Sequence, residues 1–140
     1  MGLLRLLTLG FGAGAFGACV LVLVAYLLAR FGVPEQLGIT FPPRPMPAAL
    51  YQAVVWGGIW GLLLVVPVMN RLWWLKGIII GALATVALLL YFAPPLRDGP
   101  MMRLLYVLVL NAFWGVAAGF WWVIVSGARK NGRRFGTFVR

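Results

Sequence analysis

The chain has 140 residues, of which 64% are hydrophobic, 14% aromatic and 10% charged. An ordinary soluble domain is about 45–50% apolar and about 25% charged, so this composition excludes a soluble fold, and it equally excludes intrinsic disorder. Twelve Lys and Arg residues stand against two acidic ones, for a formal net charge of +10, and histidine is absent. The sequence therefore indicates a small, basic, integral membrane protein.

Four segments are long and apolar enough to cross a membrane, which takes about 20 residues. They cover residues 6–29, 48–69, 72–93 and 104–125. Pro67 should kink the second span near its end, because it removes the hydrogen bond to the carbonyl of Leu63. The loop from Phe31 to Met46 is rich in proline, and we expect it to be extended with polyproline II character. The predicted fold class is an all-α integral membrane protein with four transmembrane helices, in one domain over residues 1–128 followed by a basic tail over residues 129–140.

The first apolar segment begins like a secretion signal, because Arg5 precedes an apolar run. The run continues without a break to Leu28, which is too long for the hydrophobic region of a signal, and no polar mature sequence follows it. We therefore expect this segment to be kept as the first transmembrane helix.

The distribution of basic residues predicts the orientation, because cytoplasmic loops carry an excess of Lys and Arg. Four spans place both termini on one side of the membrane. That side would carry eight basic residues and the other side four; the eight are Arg5, Arg71, Lys76, Arg129, Lys130, Arg133, Arg134 and Arg140. Five of the eight belong to the tail, which therefore decides the count. We expect a bacterial cytoplasmic membrane with both termini in the cytoplasm.

The tail also predicts a lipid partner. Arg129, Lys130, Arg133 and Arg134 would lie beside the membrane, where each positive charge attracts anionic lipid by about 1 kcal/mol. Docking to a partner protein is the alternative. Nucleic acid is not an expected partner, because RNA contact normally uses aromatic stacking platforms on a folded surface.

The second and fourth spans resemble each other at an offset of 58 residues. Both contain the pattern W-G-x-x-x-G, at residues 56–61 and 114–119. Two successive helical hairpins would form a parallel repeat, related by an axis along the membrane normal. The alternative is coincidence, since Gly, Leu and Val are common in membrane spans.

Each span also carries glycines four residues apart. The pairs are Gly10 and Gly14, Gly57 and Gly61, Gly77 and Gly81, and Gly115 and Gly119. Residues at i and i+4 share one face of a helix, and small residues there allow two helix backbones to approach closely. We expect these glycines to be helix-packing contacts; a glycine-lined substrate path is the alternative.

Two indole side chains, Trp56 and Trp114, are predicted near the middle of the bilayer, and each has a polar side chain about one turn before it. Trp56 lies nine residues past Pro47, about 14 Å along the helix, and Asn111 lies about 12 Å past Arg103. Trp114 follows Asn111, and Gln52 precedes Trp56, each by about one turn. Polar groups at this depth need partners. They are therefore either interhelical hydrogen bonds that fix the packing or contacts to a solute at the repeat interface.

Residues for ionic or catalytic chemistry are scarce. No span carries an ionisable residue in its central part, where ion and proton carriers usually place one. The two acids, Glu35 and Asp98, fall in loops without a visible catalytic partner. With no histidine and the single cysteine Cys19, a metal site is not expected. We therefore expect neither enzymatic activity nor a cofactor.

Three functional hypotheses remain. The first is a non-enzymatic protein that packs through its glycine-rich faces, as a homo-oligomer or as an accessory subunit of a membrane complex. The second is a small transporter or channel for an uncharged or weakly polar solute, with its site near the repeat interface. The third is a lipid-binding scaffold that acts through the basic tail.

Overall fold

A computed structural model describes residues 2–39, 46–92 and 101–127. Over these residues the protein is helical and contains no strand. The helices are α1 (Leu3–Arg30), α2 (Val33–Gln36), α3 (Met46–Gly61), α4 (Trp73–Ala87) and α5 (Met101–Ser126). α3 continues as a 3₁₀ turn, Leu62–Val65, and α4 as a π-helical turn, Leu88–Phe92.

The four long helices, with these turns included, are long and apolar enough to cross a membrane. The predicted fold class is confirmed: the protein is an all-α, multi-pass membrane protein that contacts the lipid bilayer. The predicted spans agree with α1 and α5 to within three residues at each end.

The helices pack in the order α3, α1, α5, α4. Extensive contacts join α1 to α3, α1 to α5 and α4 to α5, whereas no such contact joins α3 directly to α4 over the described residues. Each contacting pair is antiparallel. The start of α1 and the end of α5 therefore share one end of the bundle, here called the terminal end. The starts of α3 and α5 lie at the opposite end, here called the loop end.

The second span differs from its prediction. The sequence predicts one helix through Met69 with a kink at Pro67, whereas the α-helix gives way to a 3₁₀ turn at Leu62 and helical structure ends at Val65. Pro67 has no N–H for the carbonyl of Leu63, and the amide of Val66 donates to that carbonyl instead, at 3.3 Å. Pro67 thus lies beyond the helix end and does not bend it.

The loop after α1 also differs from its prediction. It is not extended over residues 31–39: Gly32 adopts a left-handed conformation (φ +69°) that ends α1, and the short helix α2 follows. The chain then turns back and buries Ile39 against Tyr106 and Leu110 of α5. Residues 40–45 lie outside the described part of the chain. So do Asp98 and the tail residues Arg129, Lys130, Arg133 and Arg134.

Candidate functional site

The glycines of α1 and α3 face each other. A methyl group added to Gly14 would overlap the carbonyl oxygen of Gly57 and would lie 2.7 Å from the Cα of Gly61. One added to Gly10 would lie 3.1 Å from the carbonyl oxygen of Gly61. The two backbones therefore meet with no room for a side chain between them.

The glycines of α4 and α5 form a second contact of the same kind. A methyl group on Gly77 would overlap the carbonyl oxygen of Gly115, and one on Gly115 would overlap that of Gly77. One turn away, Gly81 faces the backbone of Asn111, and Gly119 faces the carbonyl oxygen of Trp73. All eight glycines singled out in the sequence thus lie against other helices of the same chain.

The indole ring of Trp114 lies where the two hairpins meet. It is 3% exposed, and its Nε1 donates a 2.9 Å hydrogen bond to the carbonyl oxygen of Gly14. A methyl group on Gly57 would lie 2.9 Å from this nitrogen, and one on Gly17 would lie 3.0 Å from the ring carbon Cδ1. Two glycines, Gly17 and Gly57, therefore make space for the ring, and the hydrogen bond to Gly14 links α5 to α1.

Trp56, the counterpart of Trp114 in the sequence repeat, is in a different environment. Its side chain is 40% exposed and lies along the wall of a cleft. The two tryptophans are therefore not equivalent in the fold, because α5 lies in the middle of the helix row and α3 lies at its edge.

A cleft of about 360 Å³ opens between α3 and α4, with α1 and α5 as its floor. It brings together the four candidate polar residues Gln52, Trp56, Asn111 and Trp114. Its other lining residues are mostly small or apolar, and include Ala49, Ala53, Trp60, Ala84, Ala87 and Leu110. No charged side chain is among the described residues that line it. The cleft is thus an apolar site with a few polar groups.

Asn111 supplies hydrogen-bonding groups on the α5 side of the cleft. Its Nδ2 donates a 3.2 Å hydrogen bond to the carbonyl oxygen of Val107, one turn earlier in the same helix. The carboxamide has a second N–H and an acceptor oxygen, so it retains the capacity to bind another polar group. Gln52, on α3, also carries a carboxamide that lines the cleft.

Lys76 is a site residue that no sequence pattern singles out and that enters the prediction only as one of the basic residues. It lies in the first turn of α4 and is 7% exposed. Its Nζ donates to the carbonyl oxygens of Leu64 at 2.7 Å and Val66 at 2.5 Å. These carbonyls end the α3 segment, where a helix attracts cations. Pro67 and a nearby cation were the signals from which this contact could have been predicted.

The chemistry of the cleft is hydrogen bonding and apolar contact. Within the described residues, no group of three or more His, Cys, Asp or Glu side chains could hold a metal ion.

Comparison with family models, with curated proteins and with solved structures gives no match.

Proposed function

We propose that this is a non-enzymatic membrane protein that binds an uncharged or weakly polar molecule in the cleft between α3 and α4, as a small transporter or channel would. The observation that carries the proposal is that Gln52, Trp56, Asn111 and Trp114 line one cleft. These residues come from two helices that are not neighbours in the helix row.

The size and chemistry of the cleft support this proposal. Small-molecule sites are usually 300–1,000 Å³ in volume and mostly apolar, with a small number of polar groups that orient the ligand. The volume of about 360 Å³ lies in that range. Transporters commonly place their sites near the bilayer midplane. Because the described lining carries no charge, a neutral ligand avoids an unpaired charge in a region of low dielectric.

Assembly with other membrane proteins is the second candidate, as a homo-oligomer or as an accessory subunit. It is favoured by the position of α3 at the edge of the row, where Tyr51, Ile59 and Leu63 are exposed. The glycines that lie four residues apart contribute to such assembly only indirectly, because they contact other helices of the same chain. A partner helix would bind the outer side of α3.

The charge distribution supports a proposal for the position in the cell. We propose a bacterial cytoplasmic membrane with the terminal end in the cytoplasm, and a basic tail that attracts anionic lipids there. The support is the excess of basic residues predicted on that side.

The variants Asn111→Leu and Gln52→Leu test the cleft as a binding site. Protein purified in mild detergent would be analysed by native mass spectrometry for a retained small molecule and by thermal unfolding for stability. We expect each variant to stay folded, with a loss of about 0.6–2 kcal/mol at most, and to lose the retained molecule. The control Ile59→Leu changes an exposed residue outside the cleft and should retain it. Equal retention in all four proteins would contradict the proposal.

A further inference from the structure

The cleft is open on the side that faces the lipid. Its two walls, α3 and α4, make no extensive contact with each other over the described residues. Alanines line both walls, Ala49 and Ala53 on α3 and Ala84 and Ala87 on α4. At these positions the small side chains leave a gap between the helices, beside the larger lining residues Trp56 and Trp60 of α3 and Leu88 directly after α4.

The gap is closed at the terminal end of the bundle. There Lys76 of α4 binds the carbonyl oxygens of Leu64 and Val66, which directly follow α3. The lining on α3 begins at Ala49, in the first turn of the helix, and ends at Trp60. This distance is about 16 Å by helical rise, half of a hydrocarbon core of about 30 Å. The cleft therefore spans one leaflet, the one at the loop end.

The polar groups of the cleft lie below the level of the lipid headgroups. Asn111 is about 12 Å past Arg103, and Gln52 is about 8 Å past Pro47. A ligand held by these groups has its own hydrogen-bonding group at that depth, surrounded by apolar contacts. A phospholipid headgroup fits poorly, because it is charged and lies nearer to water.

From these observations we infer that the ligand of the cleft enters sideways from the lipid of the loop-end leaflet. It is a lipid-soluble compound with a neutral hydrogen-bonding group, such as a hydroxyl or carbonyl, on an apolar skeleton. This inference rests on the proposed function, since it names the class of molecule that the same site binds and the phase from which it comes.

Photolabelling of the full chain in phosphatidylcholine nanodiscs tests the route. The probe is a long-chain primary alcohol that carries a diazirine, and labelled peptides are identified by mass spectrometry. We expect saturable labelling of the cleft lining on α3 and α5, which unlabelled long-chain alcohol displaces and phosphatidylglycerol does not. Ala53→Phe should fill the gap and weaken saturable labelling about tenfold, the factor that corresponds to about 1.4 kcal/mol.

Two further variants control this experiment. Ile59→Phe adds the same ring on an exposed position of α3 and should leave labelling unchanged. Ala84→Phe fills the gap from the α4 wall and should act like Ala53→Phe, so that a folding defect in one variant does not decide the result. Thermal unfolding is measured for each.

Four outcomes would overturn the inference. Labelling that is uniform around all helices and does not saturate would show ordinary surrounding lipid only. A dimer whose cleft lining stays unlabelled would show that a second copy covers the opening. Saturable labelling by a short-chain, water-soluble analogue but not by the long-chain probe would refute entry from lipid and leave the proposed function intact. If neither probe labels the lining, the proposed function fails as well.

Discussion

At the scale of single residues, the sequence predicted which positions allow close helix contact but not which helices they join. A spacing of four residues identifies one face of a helix, and it says nothing about the neighbour on that face. The contacts of Gly14 with Gly57 and of Gly77 with Gly115 depend on the order of helices in the bundle. Trp56 and Trp114 illustrate the same limit. They occupy the same local sequence pattern, yet the side chain of Trp56 is 40% exposed and that of Trp114 is 3% exposed.

The contact between Gly77 and Gly115 can be tested with the smallest possible side chain. Because the added methyl group meets a backbone carbonyl, α4 and α5 must move apart, and we expect Gly77→Ala to cost about 1–3 kcal/mol, as overpacking does. Gly115→Ala should cost a similar amount, and the double variant less than the sum, since both changes act on one contact. Thermal unfolding in detergent measures all three.

Gly12 provides the matched control. It lies in α1, and no atom of another helix lies within 4 Å of an added methyl group, so Gly12→Ala should be neutral or slightly stabilising through helix propensity. If Gly77→Ala is as harmless as Gly12→Ala, the tight contact between α4 and α5 does not exist.

At the scale of helices and loops, the predictions were correct where the length of an apolar run determines a span. They were wrong where local hydrogen bonds determine where a helix ends. Apolar runs fix the spans, because an unpaired backbone cannot remain in lipid. The end of α3 depends instead on where the carbonyls near Pro67 find donors, and Lys76, which comes from the next helix, supplies two of them. The sequence singled out the four polar residues of the cleft, but its walls were not predictable, since they belong to helices that are not in extensive contact.

The Lys76 contact should hold α3 and α4 together at the terminal end. Lys76→Met keeps an apolar side chain but leaves the carbonyls of Leu64 and Val66 without the ammonium donor, so we expect a loss of about 1–3 kcal/mol in the free energy of unfolding. We also expect the distance between α3 and α4 to increase. Spin labels at Ile59→Cys and Leu83→Cys, both exposed positions, would measure this distance in a Cys19→Ala background.

Arg71 is the control for this variant, because it is a nearby basic residue with an exposed side chain. Arg71→Met removes the same charge and should change neither stability nor the distance between the labels. Equal behaviour of the two variants would mean that Lys76 acts only through its charge and does not join the helices.

At the scale of the whole molecule, the two ends of the bundle differ, because the cleft is closed at the terminal end and spans the leaflet at the loop end. The leaflet from which a ligand would enter therefore depends on the orientation of the chain in the membrane. The basic residues predict that orientation, and the helix bundle itself does not, since a bundle of apolar helices can pack identically either way.

Reporter fusions at residues 1 and 140 measure the orientation directly, and we expect both to be cytoplasmic. Neutralising Arg129, Lys130, Arg133 and Arg134 lowers the basic count on that side from eight to four, equal to the other side. Because the excess of Lys and Arg sets the orientation, the variant should insert in both directions. Exchanging the three arginines for lysine keeps the charge and should keep the orientation. A wild-type C terminus on the outer face would contradict the prediction, and the cleft would then be open to the cytoplasmic leaflet.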